Sequence, residues 1–180
     1  RAEHDAILVG RRTVQKDDPE LTVRLVRGRN PLRIIVDSEL NISKNTKILQ
    51  KTSSTPTLIA TVKTAASPQF KKLSATGAEI ISVKADKNGK VDLKKLFGML
   101  AQRRISSVLV EGGSQIITSL LKNNLADRLV TVIAPKIMGR GIDAVGDLNI
   151  RSLGSAKKLS IQKIIRLESD VIIDTRVIKS

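Results

Sequence analysis

The 180-residue sequence contains no cysteine, tryptophan or tyrosine, two phenylalanines and one histidine. Without cysteine there can be no disulfide and no thiolate metal site, and the composition suits a reducing cytosol, so a cytoplasmic location is expected. His4 and scattered carboxylates are too few and too dispersed to suggest a metal cluster. Phe70 and Phe97 each sit inside a helix-like apolar pattern, so stacking platforms for nucleobases are missing. No apolar run reaches the roughly 20 residues that a membrane-crossing helix needs. No signal peptide is visible, and the chain begins at Arg1 without a methionine, as a fragment or processed product would.

What is plentiful is positive charge: 32 Lys and Arg against 17 Asp and Glu give a formal +15. A basic nucleic-acid-binding module is one reading of that number. The basic residues are spread along the whole chain, however, and a phosphorylated small molecule fits a dispersed charge better. The length suits one domain that buries about 70% of its unfolded surface.

Short apolar runs alternate with helical patterns. Ala6–Val9, closed by Gly10, Leu32–Val36, Thr57–Ala60 and Glu79–Val83 read as strands. Arg1–His4 reads as the end of a helix, and Asp18-Pro19 as a turn. Ser67-Pro68 opens a helix that Gly77 ends. Asp92 caps a helix whose Leu93, Leu96, Phe97, Leu100 and Ala101 recur at helical spacing. Arg128–Ile133 is a strand stopped by Pro135, and a glycine-rich loop follows from Lys136 to Gly146. Leu159–Leu167 and Asp170–Val177 form an antiparallel hairpin about Glu168-Ser169. This order implies an α/β fold of three layers, with a mixed, mostly parallel sheet and a C-terminal hairpin.

The central stretch is Ser107-Val108-Leu109-Val110-Glu111-Gly112-Gly113-Ser114, read as a strand covered on both faces, a glycine turn and a helix start. Ser114 can cap that helix, and Ile116, Ile117, Leu120 and Leu121 share one of its sides. The N–H groups at its start favour an anion such as phosphate. A glycine pair between strand and helix also serves simply as a turn, and both readings stand. Glu111 lies at the carboxyl end of the strand, where open α/β sheets place their ligand crevice.

With these segments in place, the sequence resembles the reductase of riboflavin biosynthesis, found as half of the bifunctional bacterial deaminase–reductase and as stand-alone archaeal and fungal enzymes. The matching pieces are Arg1-Ala2 with Asp5–Gly10, Thr13-Val14 with Asp17-Asp18-Pro19, Leu21–Arg24, Asn30–Ser38, Val110–Gly113 and Ile133–Lys136. They run in family order over most of the chain. The resemblance implies a dihydrofolate-reductase-like fold and a single reductase domain over residues 1–180. It also implies an activity: NADPH would deliver a hydride to C1 of the ribosyl group of a phosphoribosylamino-pyrimidine, after ring opening to an imine, leaving a ribityl chain. The base could be the deaminated or the diamino form. A homodimer and an upstream deaminase domain are the partners the family implies.

Carried over residue by residue, the resemblance makes Thr13 and Asp17 cofactor contacts, with Asp17 a second catalytic candidate beside Glu111. Leu21, Arg24, Arg1 and Glu111 become substrate contacts, with Arg24 and Arg1 on the phosphate. Ser38 would meet the adenosine 2′-phosphate. Gly112, Gly113, Ser114, Gln115, Ile116, Ile117, Thr118 and Ser119 would cradle the pyrophosphate. Plainer readings accompany each: a capped turn for Asp17, a solvated strand residue for Arg24, an Asp-Ser turn for Ser38, and an ion-pair partner for Glu111. His4 reads as a surface residue. In the family a further strand, with a Ser-Leu-Asp-Gly-like segment, precedes the Arg-Ala pair, so relative to it the chain is N-terminally incomplete and an exposed sheet edge is expected. Two other functions stay open: a non-catalytic nucleotide- or phosphate-binding domain of the same fold, and the nucleic-acid module.

Overall fold

A computed structural model describes residues 1–179. The chain forms two compact units, Arg1–Ile116 and Ile117–Ser180. In the first, β1 (Ala6–Gly10), β2 (Leu32–Val36), β3 (Thr57–Thr61), β4 (Glu79–Ser82) and β5 (Val108–Val110) form a parallel sheet in the order β4-β3-β2-β1-β5. The chain steps outward from β1 to β4, then returns across the sheet to β5. Right-handed crossovers therefore put α1 (Arg11–Asp17), α2 (Lys47–Gln50) and α3 (Pro68–Ser74) on one face and α4 (Leu93–Gln102) on the other.

Strand alternation accounts for the core. Ile7, Val9, Ile35 and Ile59 pack with Val14 of α1, Ile48 and Leu49 of α2 and Leu73 of α3. Leu8, Ile34 and Leu58 point the other way and are equally buried, as are Leu96 and Leu100 on α4. Two caps lie where the sequence puts them. Ser67 Oγ accepts the Phe70 N–H, and Asp92 Oδ1 accepts those of Lys94 and Lys95.

In the second unit β6 (Arg128–Ile133), β7 (Leu159–Leu167) and β8 (Asp170–Val177) form an antiparallel sheet in the order β6-β8-β7. The helix α5 (Ser114–Lys122) runs across the boundary between units. The parallel and antiparallel strands thus belong to two hydrogen-bonded sheets among the described residues, where the sequence suggests one mixed sheet.

Other differences have local causes. Arg1–His4 is a turn, in which the His4 N–H donates to the Arg1 carbonyl, and not a helix end. His4 is half-buried, and its Nδ1 is a buried atom without a hydrogen-bond partner among the described residues. Helix α1 escapes sequence reading because Val14 is its only buried residue, so it has no apolar period. β5 is half-buried rather than covered, since its one hydrogen-bonded neighbour is β1. It is one of the two edges of this sheet among the described residues, β4 being the other.

Candidate active site

The carboxyl ends of β1 and β5 open onto a cavity of about 270 Å³. Val9 of β1 and Thr13 and Asp17 of α1 line one side, and Pro19 and Leu21 continue the wall. Arg1, Glu111 and Gly112 complete it. Six residues chosen from the sequence (Arg1, Thr13, Asp17, Leu21, Glu111 and Gly112) are therefore neighbours in space. Val9 and Pro19 were not chosen. Val9 looks like ordinary strand core, and Pro19 like ordinary turn chemistry.

The strongest polar contact joins two of the chosen residues. Arg1 Nε donates to Glu111 Oε1 at 2.8 Å, and Nη2 to Oε2 at 2.6 Å. The third donor, Nη1, reaches the Thr22 carbonyl at 2.9 Å. This paired, fork-like geometry fixes the carboxylate plane. Its hydrogen bonds hold the Arg1 guanidinium above its ordinary pKa, outweighing partial burial. Arg1 and Glu111, each expected to meet substrate, thus hold one another, and the ion-pair reading of Glu111 applies alongside the functional one.

The glycine turn is shaped for close approach. Gly112 and Gly113 have φ of +73° and +85°, and a Cβ at either would meet the Thr13 side chain at 3.5–3.6 Å. Such a backbone favours glycine. It leads into the first turn of α5, where Ser114, Gln115 and Ile116 stand. Bare backbone followed by a helix N-terminus fits a phosphate-bearing cofactor. Farther along α5, Thr118 Oγ1 accepts the Gly146 N–H, which ties the glycine-rich loop to the helix. The Ser119 carbonyl accepts from Asn123 Nδ2, and Ile117 is half-buried.

Gly113 and residues 114–119 of α5 are not part of the cavity wall, and neither are Arg24 and Ser38. Arg24 is exposed. Ser38 follows β2, and its Oγ accepts the Val91 N–H at 3.0 Å. Beside it Asp37 is buried, accepts the Ile42 N–H at 2.7 Å and faces Arg11 Nε at 3.4 Å. Burial pushes the Asp37 carboxyl up, against those two contacts. Among the described residues no group of three or more His, Cys, Asp or Glu could hold a metal. No helix among them is long and apolar enough to cross a membrane.

Residues 1–173 match the family model of the RibD C-terminal domain. The chain belongs to that family. It is 40% identical to the riboflavin biosynthesis protein RibD of Aquifex aeolicus over 96% of its own length and 46% of that protein's. It is 32% identical to the 2,5-diamino-6-ribosylamino-4(3H)-pyrimidinone 5′-phosphate reductase of Methanothermobacter thermautotrophicus, over 98% of this chain and 82% of the relative. Among solved structures, the Thermotoga maritima diaminohydroxyphosphoribosylaminopyrimidine deaminase/5-amino-6-(5-phosphoribosylamino)uracil reductase superposes with a TM-score of 0.78. That pair shares 27% identity over 99% of this chain and 46% of the other. A pyrimidine reductase-like protein from Corynebacterium diphtheriae gives 0.81 at 23% identity, covering 100% and 78%. The chain thus has the RibD C-terminal domain fold, the dihydrofolate-reductase-like arrangement expected above, and spans less than half the length of the Aquifex RibD protein.

Proposed function

We propose that this chain is a reductase domain that uses NADPH to convert the ribosyl side chain of a phosphorylated ribosylamino-pyrimidine to a ribityl chain. The observation that carries the proposal is the convergence of Arg1, Thr13, Asp17, Leu21, Glu111 and Gly112 on one cavity, in a chain whose relatives bear reductase names. A bound nicotinamide would supply the hydride. Glu111, oriented by Arg1, is the carboxylate beside the reacting sugar, and Asp17 and Thr13 hold the cofactor's polar groups. The bare Gly112-Gly113 backbone and the start of α5 take the pyrophosphate, and Ser38 the 2′-phosphate. Arg24 reaches for the substrate phosphate from its exposed position. The apolar residues of the antiparallel sheet support a homodimer. The length of the RibD relatives supports an upstream deaminase partner, and the setting proposed is cytoplasmic.

Turnover of 5-amino-6-(5-phosphoribosylamino)uracil and of its 2-amino precursor, followed by NADPH oxidation, tests the activity and selects the base. Glu111→Gln lowers kcat/KM by about 10²-fold or more, the range for loss of a positioned acid or base. Arg24→Ala raises the pyrimidine KM. Unchanged kinetics in both variants overturn the site assignment. NADPH at a hundred times its Kd stabilises the fold by about 2.7 kcal/mol, a melt shift of about 5–10 °C, with a smaller shift from NADH. A shift without turnover identifies the non-catalytic binding domain instead.

A further inference from the structure

One charged side chain of the core has no place in the chemistry above. Arg33, the second residue of the otherwise apolar β2, is fully buried, and among the described residues no carboxylate lies within ion-pair distance of it. Its guanidinium donates instead to four uncharged acceptors. Nη2 reaches the Thr55 carbonyl and Thr57 Oγ1, both at 2.6 Å, and the Lys51 carbonyl at 3.0 Å. Nη1 reaches the Glu20 carbonyl at 3.2 Å. Removing a guanidinium from water is costly, and apolar replacements of buried ions are often neutral or stabilising. Sheet packing alone therefore does not call for a cation here.

The Glu20 contact shows where the cation acts. The next residue, Leu21, is buried in the cavity wall with φ of +55°, a conformation that costs a non-glycine residue free energy. The same short segment is held at three further points. Lys51 Nζ bonds the Glu20 carboxylate, Asn30 Oδ1 accepts the Val23 N–H, and Arg1 donates to the Thr22 carbonyl. Asn30 in turn donates to Thr55 Oγ1 at 3.2 Å, so one of these ties ends on residue 55, which Arg33 also grips.

We infer that Arg33 is a positioning residue for the pyrimidine substrate: it clamps Glu20 to the Lys51–Thr57 turn, which fixes Leu21 and, through Thr22, the Arg1–Glu111 pair. The inference rests on the proposed reductase reading. Thr13 and Asp17 belong to α1, which Arg33 does not touch, so the clamp acts on the pyrimidine and leaves the cofactor side alone.

The test uses the full polypeptide carrying Arg33→Lys or Thr57→Val, with separate KM values for the pyrimidine and for NADPH. An ammonium cannot span four acceptors set out for a planar fork. Arg33→Lys raises the pyrimidine KM about five- to tenfold and Thr57→Val about two- to threefold, less than the full loss of hydrogen bonds to a charged group because the clamp reaches the substrate only through Leu21 and Arg1. The NADPH KM changes less than about twofold in both. Unchanged pyrimidine KM values overturn the inference. So does an equal loss for both ligands, which would mean general loosening. If Arg33→Lys fails to fold, Thr57→Val, which keeps the cation, decides alone. If the wild type turns over neither pyrimidine, the reductase reading fails and amide exchange takes over as readout. A larger increase in exchange over the wild type at Leu21–Val23 than across β1 in Thr57→Val upholds the clamp, and equal increases, or none, remove it.

Discussion

Asp5 shows how much one carboxylate can organise. Its Oδ2 accepts from the Ser106 hydroxyl at 2.7 Å, the Ser106 N–H at 2.9 Å, the Ser107 N–H at 3.0 Å and the Ser107 hydroxyl at 3.2 Å. These donors, Ser106 foremost, pull its pKa from 3.8 to about 2. A folded-state value below the unfolded one stabilises the fold above the unfolded pKa, and the contribution disappears as pH falls through the folded one. The stability gap between wild type and Asp5→Ala is therefore full above about pH 4 and shrinks toward pH 2, as urea midpoints over that range will show. Glu111 behaves differently. Its pair with Arg1 is partly exposed (23% and 33%), and such pairs contribute about 0.2–1 kcal/mol. Glu111→Gln should lose most activity while its urea midpoint moves little, a split that separates chemistry from folding.

At the scale of elements, Leu96 and Leu100 present the fully buried side of α4. Leu96→Ala should cost about 2–5 kcal/mol with an unchanged denaturant slope. This helix, like the strands and the hairpin, was legible because a repeating apolar pattern or a cap advertised it. Helix α1 and the four-residue α2 were not, since one or two buried side chains make no period. The site was legible in a different way. Thr13, Asp17 and Leu21 were reached through family resemblance, the Asp-Asp-Pro spacing alone favouring a turn, whereas Glu111 also stood out by its place at the carboxyl end of a strand. Neither route led to Arg33, whose neighbours in sequence read as plain strand, or to the contact between Arg1 and Glu111, which are far apart along the chain.

Taken whole, the molecule shows an imbalance between its two units. In the first, Leu25 and Val26 are the exposed large apolar residues, whereas in the antiparallel sheet Val132, Ile161, Ile164 and Leu167 are each about 60% exposed. Ile164 pairs with Ile173, and Val132 with Ile172, so apolar residues occupy both faces. Exposed patches of this kind mark association surfaces. In the proposed homodimer, Ile164→Lys should shift the light-scattering mass toward one chain.

The clasp of Asp5 on Ser106 and Ser107 also bears on how the protein is made. Its partners are 101 and 102 positions apart, and β1, which lies between β2 and β5, pairs with β5 over the same interval. At about 5–20 residues per second, a ribosome needs roughly 5–20 s after releasing β1 to deliver the strand that flanks it. For that time the apolar Ala6–Val9 run emerges with one flank unclaimed, which makes the nascent chain, rather than the finished domain, the form most exposed to chaperones.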